Sequence, residues 1–130
     1  MKITALDHLV LTVADIDRSI DFYTHILGMQ EITFGEGRKA LLFGRQKINL
    51  HRQGAEIMPH AHAPVCGSAD LCLLTDTPLI QVKQELAAHG VTVLTGIVPR
   101  TGAVGVIESV YLRDPDGNLL EISRYADAQG

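Results

Sequence analysis

The 130-residue sequence has no tryptophan, only three phenylalanines and three tyrosines, and only two cysteines. Cys66 and Cys72 do not have the C-x-x-C spacing of a metal or redox motif, and no disulfide is expected in a reducing compartment. Both are expected to be small, buried thiols. No basic run is present and the net charge is −4, which excludes nucleic acid as the expected partner. No apolar stretch approaches membrane length, and Met1–Asp7 carries no secretory apolar region. The expectation is a cytosolic protein with no membrane partner. What remains is ordinary: 46% apolar and 20% charged residues suit one globular domain, and a chain of this size buries roughly two thirds of its extended surface on folding.

Periodicity divides the chain into alternating short elements. Leu9, Leu11 and Val13 alternate with His8, Val10 and Thr12, which predicts a strand over Leu6–Val13. Asp15 is placed to cap a helix whose apolar positions Ile16, Ile20, Tyr23 and Leu27 recur at helical spacing, with Gly28 as its stop. Strands are predicted over Met29–Gly35, Lys39–Phe43 and Lys47–Arg52, between glycine-bearing turns. The order then recurs. Asp70–Thr75 reads as a strand, Thr77 and Pro78 as cap and first residue of a helix ending at Gly90. Further strands are predicted over Thr92–Gly96, Ala103–Arg113 and Asn118–Tyr125, the last two joined by the turn Asp114-Pro115-Asp116-Gly117.

Sliding the sequence by 62 residues superposes Leu9 on Leu71, Leu11 on Leu73, Ile20 on Val82 and Gly28 on Gly90. These positions are the core face of a strand, the core face of a helix and the helix stop, so the pattern indicates an internal duplication. The expected fold is α+β: two tandem βαβββ units, at 5–52 and 68–125 of one domain (1–130), with 53–67 as linker. A helix covers one face of each sheet, which leaves the other face for chemistry.

Several polar side chains fall on that second face by alternation. They are His8 on the first strand, Asn49 and His51 on the fourth, Asp70 at the start of the fifth and Glu121 on the last. Glu121 lies within Leu-Leu-Glu-Ile, where a buried charge costs several kcal/mol unless paired or bound to a cation. Two histidines and two carboxylates, His8, His51, Asp70 and Glu121, suit a divalent transition metal (Ni, Zn, Fe, Mn or Co) better than calcium. His60 and His62 sit in the Pro-flanked linker and are expected to be solvent-exposed; His25 and His89 lie late in their helices, where a cation suits the dipole. Arg100, in a glycine-rich stretch, belongs either to a mobile lid offering a cation to an anionic substrate or to an ordinary hairpin loop. Tyr111 and Arg113 share a face with Ser109 and, with Asn49 and Arg100, are candidates for substrate binding.

The runs Asp7-His8-Leu9-Val10-Leu11, Asp15-x-x-Arg18-Ser19-Ile20-Asp21-Phe22-Tyr23, Leu27-Gly28-Met29 and Asp114-Pro115-Asp116-Gly117-x-x-x-Glu121 resemble the vicinal-oxygen-chelate superfamily, which unites glyoxalases, bleomycin-resistance proteins and extradiol dioxygenases. The resemblance spans roughly residues 3 to 124 and is closest to small glyoxalase-domain proteins of undefined substrate. It implies a curved mixed sheet with a cleft, and metal positions at His8 and Glu121. On the fourth strand it places Asn49 at the family's ligand position. His51, two residues on, is favoured here because imidazole is the better donor, with Asp70 as a fourth ligand or an outer-shell partner.

Departures from the family pattern limit what activity carries over. Glyoxalase I enzymes usually have Glu on the fourth strand, His where Asp70 stands, and Arg where Thr12 stands. Weak or absent glutathione-hemithioacetal turnover is therefore expected. The resemblance implies lyase- or isomerase-type chemistry on a small oxygenated substrate, with or without an anionic group, and with Asp70 and Glu121 as catalytic carboxylates. Its alternatives are an antibiotic-binding module, which the scarcity of aromatics disfavours, and an Fe(II) dioxygenase. A homodimer is also expected, since a four-stranded sheet cannot close a cleft alone. The superfamily often pairs units from different subunits, which would bring His8 and His51 of one chain to Asp70 and Glu121 of the other. Val10 and Leu74 are the apolar residues expected to line that contact.

Overall fold

The computed structural model describes residues 1–126, and the chain divides into two compact units with the boundary between Ser68 and Ala69. The first unit runs β1 (His8–Val13), α1 (Ile16–His25), β2 (Gln30–Phe34), β3 (Arg38–Phe43) and β4 (Gln46–Arg52). The second runs β5 (Asp70–Leu74), α2 (Leu79–Ala88), β6 (Val98–Thr101), β7 (Val106–Arg113) and β8 (Leu119–Tyr125). Each unit forms its own four-stranded mixed sheet, in the orders β1-β4-β3-β2 and β5-β8-β7-β6. The first strand of each unit is parallel to the last, and all other pairs are antiparallel. The α+β class and the repeated βαβββ order are therefore present in the structure.

In the first unit, α1 starts where an Asp15 carboxylate oxygen accepts from the Arg18 amide at 3.1 Å, satisfying one of the orphan amides of the first turn. It stops before Gly28, whose φ of 74° only glycine adopts cheaply. The helix lays Ile20 and Tyr23 over Leu11, Val13, Leu41, Ile48 and Leu50, all buried. At about 1.5–3 kcal/mol per large side chain, this apolar layer is the main stabiliser of the unit. The opposite sheet face keeps His8 and Val10 exposed and Thr12 half-buried.

The second unit buries Leu79 and Leu86 of α2 with Val110, Leu112, Leu120 and Ile122. Three of its boundaries depart from expectation. Thr77 does not cap α2: its amide donates to Thr75 Oγ1 at 3.1 Å, and Pro78 takes the cap position without a side-chain hydrogen bond. Residues 92–96 form no strand; the sixth strand is Val98–Thr101 instead. Pro99 argues against a strand in the sequence, but β6 is an edge strand, where a missing amide costs no ladder bond. Finally, β7 begins at Val106 and not Ala103, because 102–105 form the hairpin turn, closed by Gly102 N–H donating to Gly105 O at 2.7 Å. Arg100 accordingly stands on a paired strand, not in a loop.

Among the described residues, no helix is long and apolar enough to cross a membrane.

Candidate functional site

Parallel pairing puts cross-strand partners on the same sheet face, so the register assigns each polar residue a place. In the second unit, Asp70 lies opposite Leu119 and Cys72 opposite Glu121. Asp70 and Glu121 are thus on one face, two positions apart along adjacent strands, or about 6.6 Å of rise. In the first unit, His8 lies opposite Lys47 and Val10 opposite Asn49. His8 and Asn49 repeat the same offset on the open face of their own sheet. By register, His8 is the counterpart of Asp70, Asn49 of Glu121, and His51 of Ser123.

This pattern bears on the choice between Asn49 and His51. His51 pairs with Thr12, four positions beyond Lys47, which places it about 13 Å along the strand from His8. Side chains standing side by side on a sheet do not converge over that span. Asn49, not His51, is the residue that accompanies His8. Both are buried, each 5% exposed. Asn49 Oδ1 and both ring nitrogens of His51 lack a hydrogen-bond partner. Burial lowers the His51 pKa from its ordinary value, the Arg38 guanidinium and His60 lower it further, and Glu56 opposes them. The His8 ring is more accessible, with Nδ1 2.8 Å from Asp7 Oδ1.

Glu121 is the best-anchored of the candidates. Its Oε2 accepts from Ser109 Oγ at 2.6 Å and, more weakly, from Ser123 Oγ at 3.5 Å. The two serine hydroxyls are 2.7 Å apart and fully buried, and Cys72 Sγ lies 3.2 Å from Ser123 Oγ. Burial pushes the Cys72 thiol up; the Ser123 hydrogen bond lowers it, and nearby Glu121 raises it again. Cys72 is exposed, contrary to the buried thiol expected from its apolar surroundings.

A hydrogen-bonded turn precedes the strand that carries Glu121. Asp114 Oδ1 accepts from the amides of Asp116 and Asn118, both at 2.9 Å, and Asp114 Oδ2 accepts from Asn118 Nδ2 at 2.8 Å. Asn118 Oδ1 in turn accepts from the Ala69 amide at 2.9 Å, and the Leu119 amide donates to Ala69 O at 3.0 Å. The starts of β5 and β8 are therefore stitched together beside Asp70. Gly117, with φ at 87°, closes the turn.

A cavity of about 360 Å³ opens on this face, lined in part by Glu121, Cys72, Arg100, Tyr111 and Tyr125. Arg100 Nε donates to Tyr111 Oη at 3.0 Å, and its guanidinium carbon lies 5.4 Å from the Tyr111 ring centroid. Arg113 turns away, donating to Gly117 O at 3.2 Å, and does not line the cavity. Of the other histidines, His25 pairs with Asp21 at 2.7 Å, and exposed His60 hydrogen-bonds Ala61 O at 2.8 Å. Among the described residues, no three His, Cys, Asp or Glu side chains are grouped closely enough to hold a metal. The residues that support Glu121, Ser109 and Ser123, carry a signal in the sequence only as small polar positions in phase with it. Asn118 carries none beyond its place after a turn.

Fold and register define a glyoxalase-like protein of two four-stranded units. The family model of the Glyoxalase/Bleomycin resistance protein/Dioxygenase superfamily matches residues 5–122, and the chain belongs to that superfamily. It is 54% identical over 125 residues to virulence protein STM3117 of Salmonella typhimurium, covering 96% of this chain and 87% of that protein. The crystal structure of STM3117 superposes with a TM-score of 0.95 over 97% of this chain and 100% of the other. The glyoxalase domain-containing protein RDO1 of Mycosarcoma maydis is 52% identical over 129 residues, covering 99% of this chain and 73% of that protein. A lactoylglutathione lyase from Agrobacterium tumefaciens, 23% identical, shares the fold with a TM-score of 0.73 over 95% of both chains.

Proposed function

We propose that this protein is a metal-dependent enzyme carrying out lyase- or isomerase-type chemistry on a small oxygenated substrate. The observation that supports it is the repeated register: a polar ligand-type residue on the first strand of each unit, and another two positions along the neighbouring parallel strand. The donor set fits a divalent transition metal, since His8 offers imidazole and Asp70 and Glu121 offer carboxylates, with no thiolate required. We assign as ligands His8 of one chain and Asp70 and Glu121 of a second copy of the chain, with Asn49 beside His8 as a weaker fourth position. Such an ion, when bound, polarises vicinal oxygens of a substrate and stabilises the negative charge that develops on them.

The chain's own groups do the rest. Ser109 holds one Glu121 oxygen, with Ser123 behind it, and fixes the carboxylate's orientation. Asp70 is exposed at the start of β5 and less constrained, which suits it to accept a substrate proton. Arg100, held by Tyr111 at the cavity, is placed to meet an anionic substrate group. A cytosolic homodimer completes the proposal. Val10 and Leu74, 47% and 62% exposed on the open faces of their sheets, are apolar surface suited to a subunit contact, which sedimentation would detect.

The deciding experiment is metal binding. A stoichiometric divalent ion should raise the melting temperature, because a ligand of the native state stabilises it by RT ln(1 + [L]/Kd). His8→Ala or Glu121→Ala should abolish the rise, and His60→Ala should leave it intact. Loss with His60→Ala and retention with His8→Ala would put the metal elsewhere. Elemental analysis of protein purified without chelator separates this reading from the metal-free binder, and iron as the resident ion would favour the dioxygenase alternative.

A further inference from the structure

The open face of the first sheet carries fixed charge of one sign. Register sets Phe34 beside Arg38 and Lys47 beside His8, and alternation puts all four on that face with Asn49 and His51. The four strands contain a single acid, Glu31, which pairs with Lys39 at 3.0 Å on the opposite face. Arg38 and Lys47 lean on one ring: the guanidinium carbon lies 4.7 Å and Nζ 4.1 Å from the Phe34 centroid, so the two charges are within about 9 Å of each other. Both side chains are half-buried, and among the described residues neither has a carboxylate partner or a hydrogen-bond acceptor. Arg38 Nε is buried, whereas its two terminal nitrogens and Lys47 Nζ keep accessible surface. After burial itself, the charge of Arg38 is the next cause that lowers the His51 pKa, so its field reaches the middle of the face. Glu56 opposes that effect, but its Oε2 accepts from the Gly54 amide at 2.6 Å and it pairs with neither cation. Two half-desolvated cations this close repel each other, and one aromatic ring offsets only part of the cost. An anion would satisfy both.

We propose that Arg38 and Lys47 form an oxyanion site that holds a carboxylate or phosphoryl group of a ligand on the open face of the first sheet. The guanidinium presents its two terminal nitrogens as a fork, and the ammonium adds a point charge with three donors. Contact with Phe34 restrains both side chains before binding, so little rotamer freedom remains to be lost. The proposal deepens the functional reading, on which it rests for its biological role: the substrate is then an organic anion, anchored by its charged group beside His8 and Asn49. Neither cation is among the proposed metal ligands, and anion binding itself requires no metal.

The test is a titration of the chelator-treated full chain with inorganic phosphate, acetate and acetamide at fixed ionic strength. It is followed by the Arg38 Nε–H resonance and the backbone amides of β3 and β4. Phosphate or acetate should shift these signals saturably, and acetamide, which has the shape of acetate without its charge, should not. Tighter binding of phosphate assigns the ligand a phosphoryl group and tighter binding of acetate a carboxylate; either order supports the site. Arg38→Gln and Lys47→Met should each weaken the anion roughly tenfold or more, the scale of one lost hydrogen bond between charged groups. Lys47→Arg should retain most of the affinity, and Lys39→Met, on the opposite face, all of it. If Arg38→Gln or Lys47→Met does not fold, the wild-type shifts decide: they should centre on Arg38 and the β3 and β4 amides. Shifts centred instead on the β6 and β7 amides would overturn the proposal. So would an equal response to acetamide, no saturable shift with either anion, or an affinity unchanged in Arg38→Gln or Lys47→Met. Because the titration is metal-free, its failure is separable from failure of the functional reading, which shows as metal binding that survives His8→Ala and Glu121→Ala.

Discussion

The Ser109 hydroxyl donates a 2.6 Å hydrogen bond to Glu121 Oε2 from a fully buried position. A hydroxyl has one proton, so with that proton committed to the carboxylate, Ser123 Oγ must donate to Ser109 Oγ across their 2.7 Å contact. The chain of donors therefore runs toward Glu121 and fixes the orientation of its carboxylate. Ser109→Ala should lower metal affinity about 10–100-fold, the usual effect of losing an outer-shell partner, and destabilise the fold by about 1–3 kcal/mol. Calorimetric titration with Zn(II) and urea unfolding read the two effects separately. Unchanged affinity with reduced stability would make the serine a purely structural residue.

The Asn49 and His51 positions give opposite expectations when exchanged. Asn49→Asp places a carboxylate beside His8, where Glu121 stands beside Asp70, and should tighten divalent metal binding. His51→Ala should leave metal binding within about threefold of wild type, well under the tenfold that 1.4 kcal/mol represents. A His51→Ala protein that no longer binds metal would overturn the register argument.

Proton linkage at His51 has a definite sign. Its folded pKa lies below the ordinary histidine value, first through burial and then through Arg38, so the unfolded chain binds more protons over that interval. The corresponding stability is present above the ordinary histidine pKa and is lost as pH falls toward the folded value. Unfolding free energies of metal-free wild type should fall from pH 7.5 to pH 5.5, and His51→Phe should flatten part of that fall. Parallel pH profiles for the two proteins would show that His51 does not contribute.

Much of the fold was legible because two periodicities and two glycine stops are local signals. Asp15 and Gly28 bracket α1, and alternation from Leu9 to Val13 assigned His8 to the open face. The sixth strand was not legible because edge position, which excuses Pro99, is a property of the sheet and not of the tetrapeptide. Thr77 failed as a cap because the helix begins one residue later than expected: Pro78, in an extended conformation, takes the cap position and Thr77 stands before it. At the site, Glu121 stood out as a charge in an apolar run. The preference for His51 over Asn49 followed donor strength, whereas the parallel register of β1 and β4 follows backbone geometry, and only the latter fixes which side chains meet. Ser109 was visible only as a residue in phase with Tyr111; that its hydroxyl and that of Ser123 converge beside Glu121 depends on cross-strand pairing that no single strand encodes.

Asn118 offers a test of whether the turn, and not the strand pairing alone, sets the height of Glu121. Its side chain is 1% exposed and works at both ends: Nδ2 donates to Asp114 Oδ2, and Oδ1 accepts from the Ala69 amide one residue before Asp70. Asn118→Ala removes both, leaving the Ala69 amide short of a partner in a part-buried position. With about 1–3 kcal/mol for a buried group left unpaired, plus the lost bond to a carboxylate, a total of about 2–4 kcal/mol is expected. Asn118→Asp keeps the acceptor for Ala69 but sets two carboxylates face to face at Asp114, so it should destabilise as well. If the turn positions the site, Asn118→Ala should also weaken metal binding at temperatures where the protein is still folded. Hydrogen exchange at the Ala69 and Leu119 amides should then rise ahead of global unfolding. A variant that loses stability while keeping wild-type metal affinity and protected β5 and β8 amides would show that the register of these two strands is held by their own ladder.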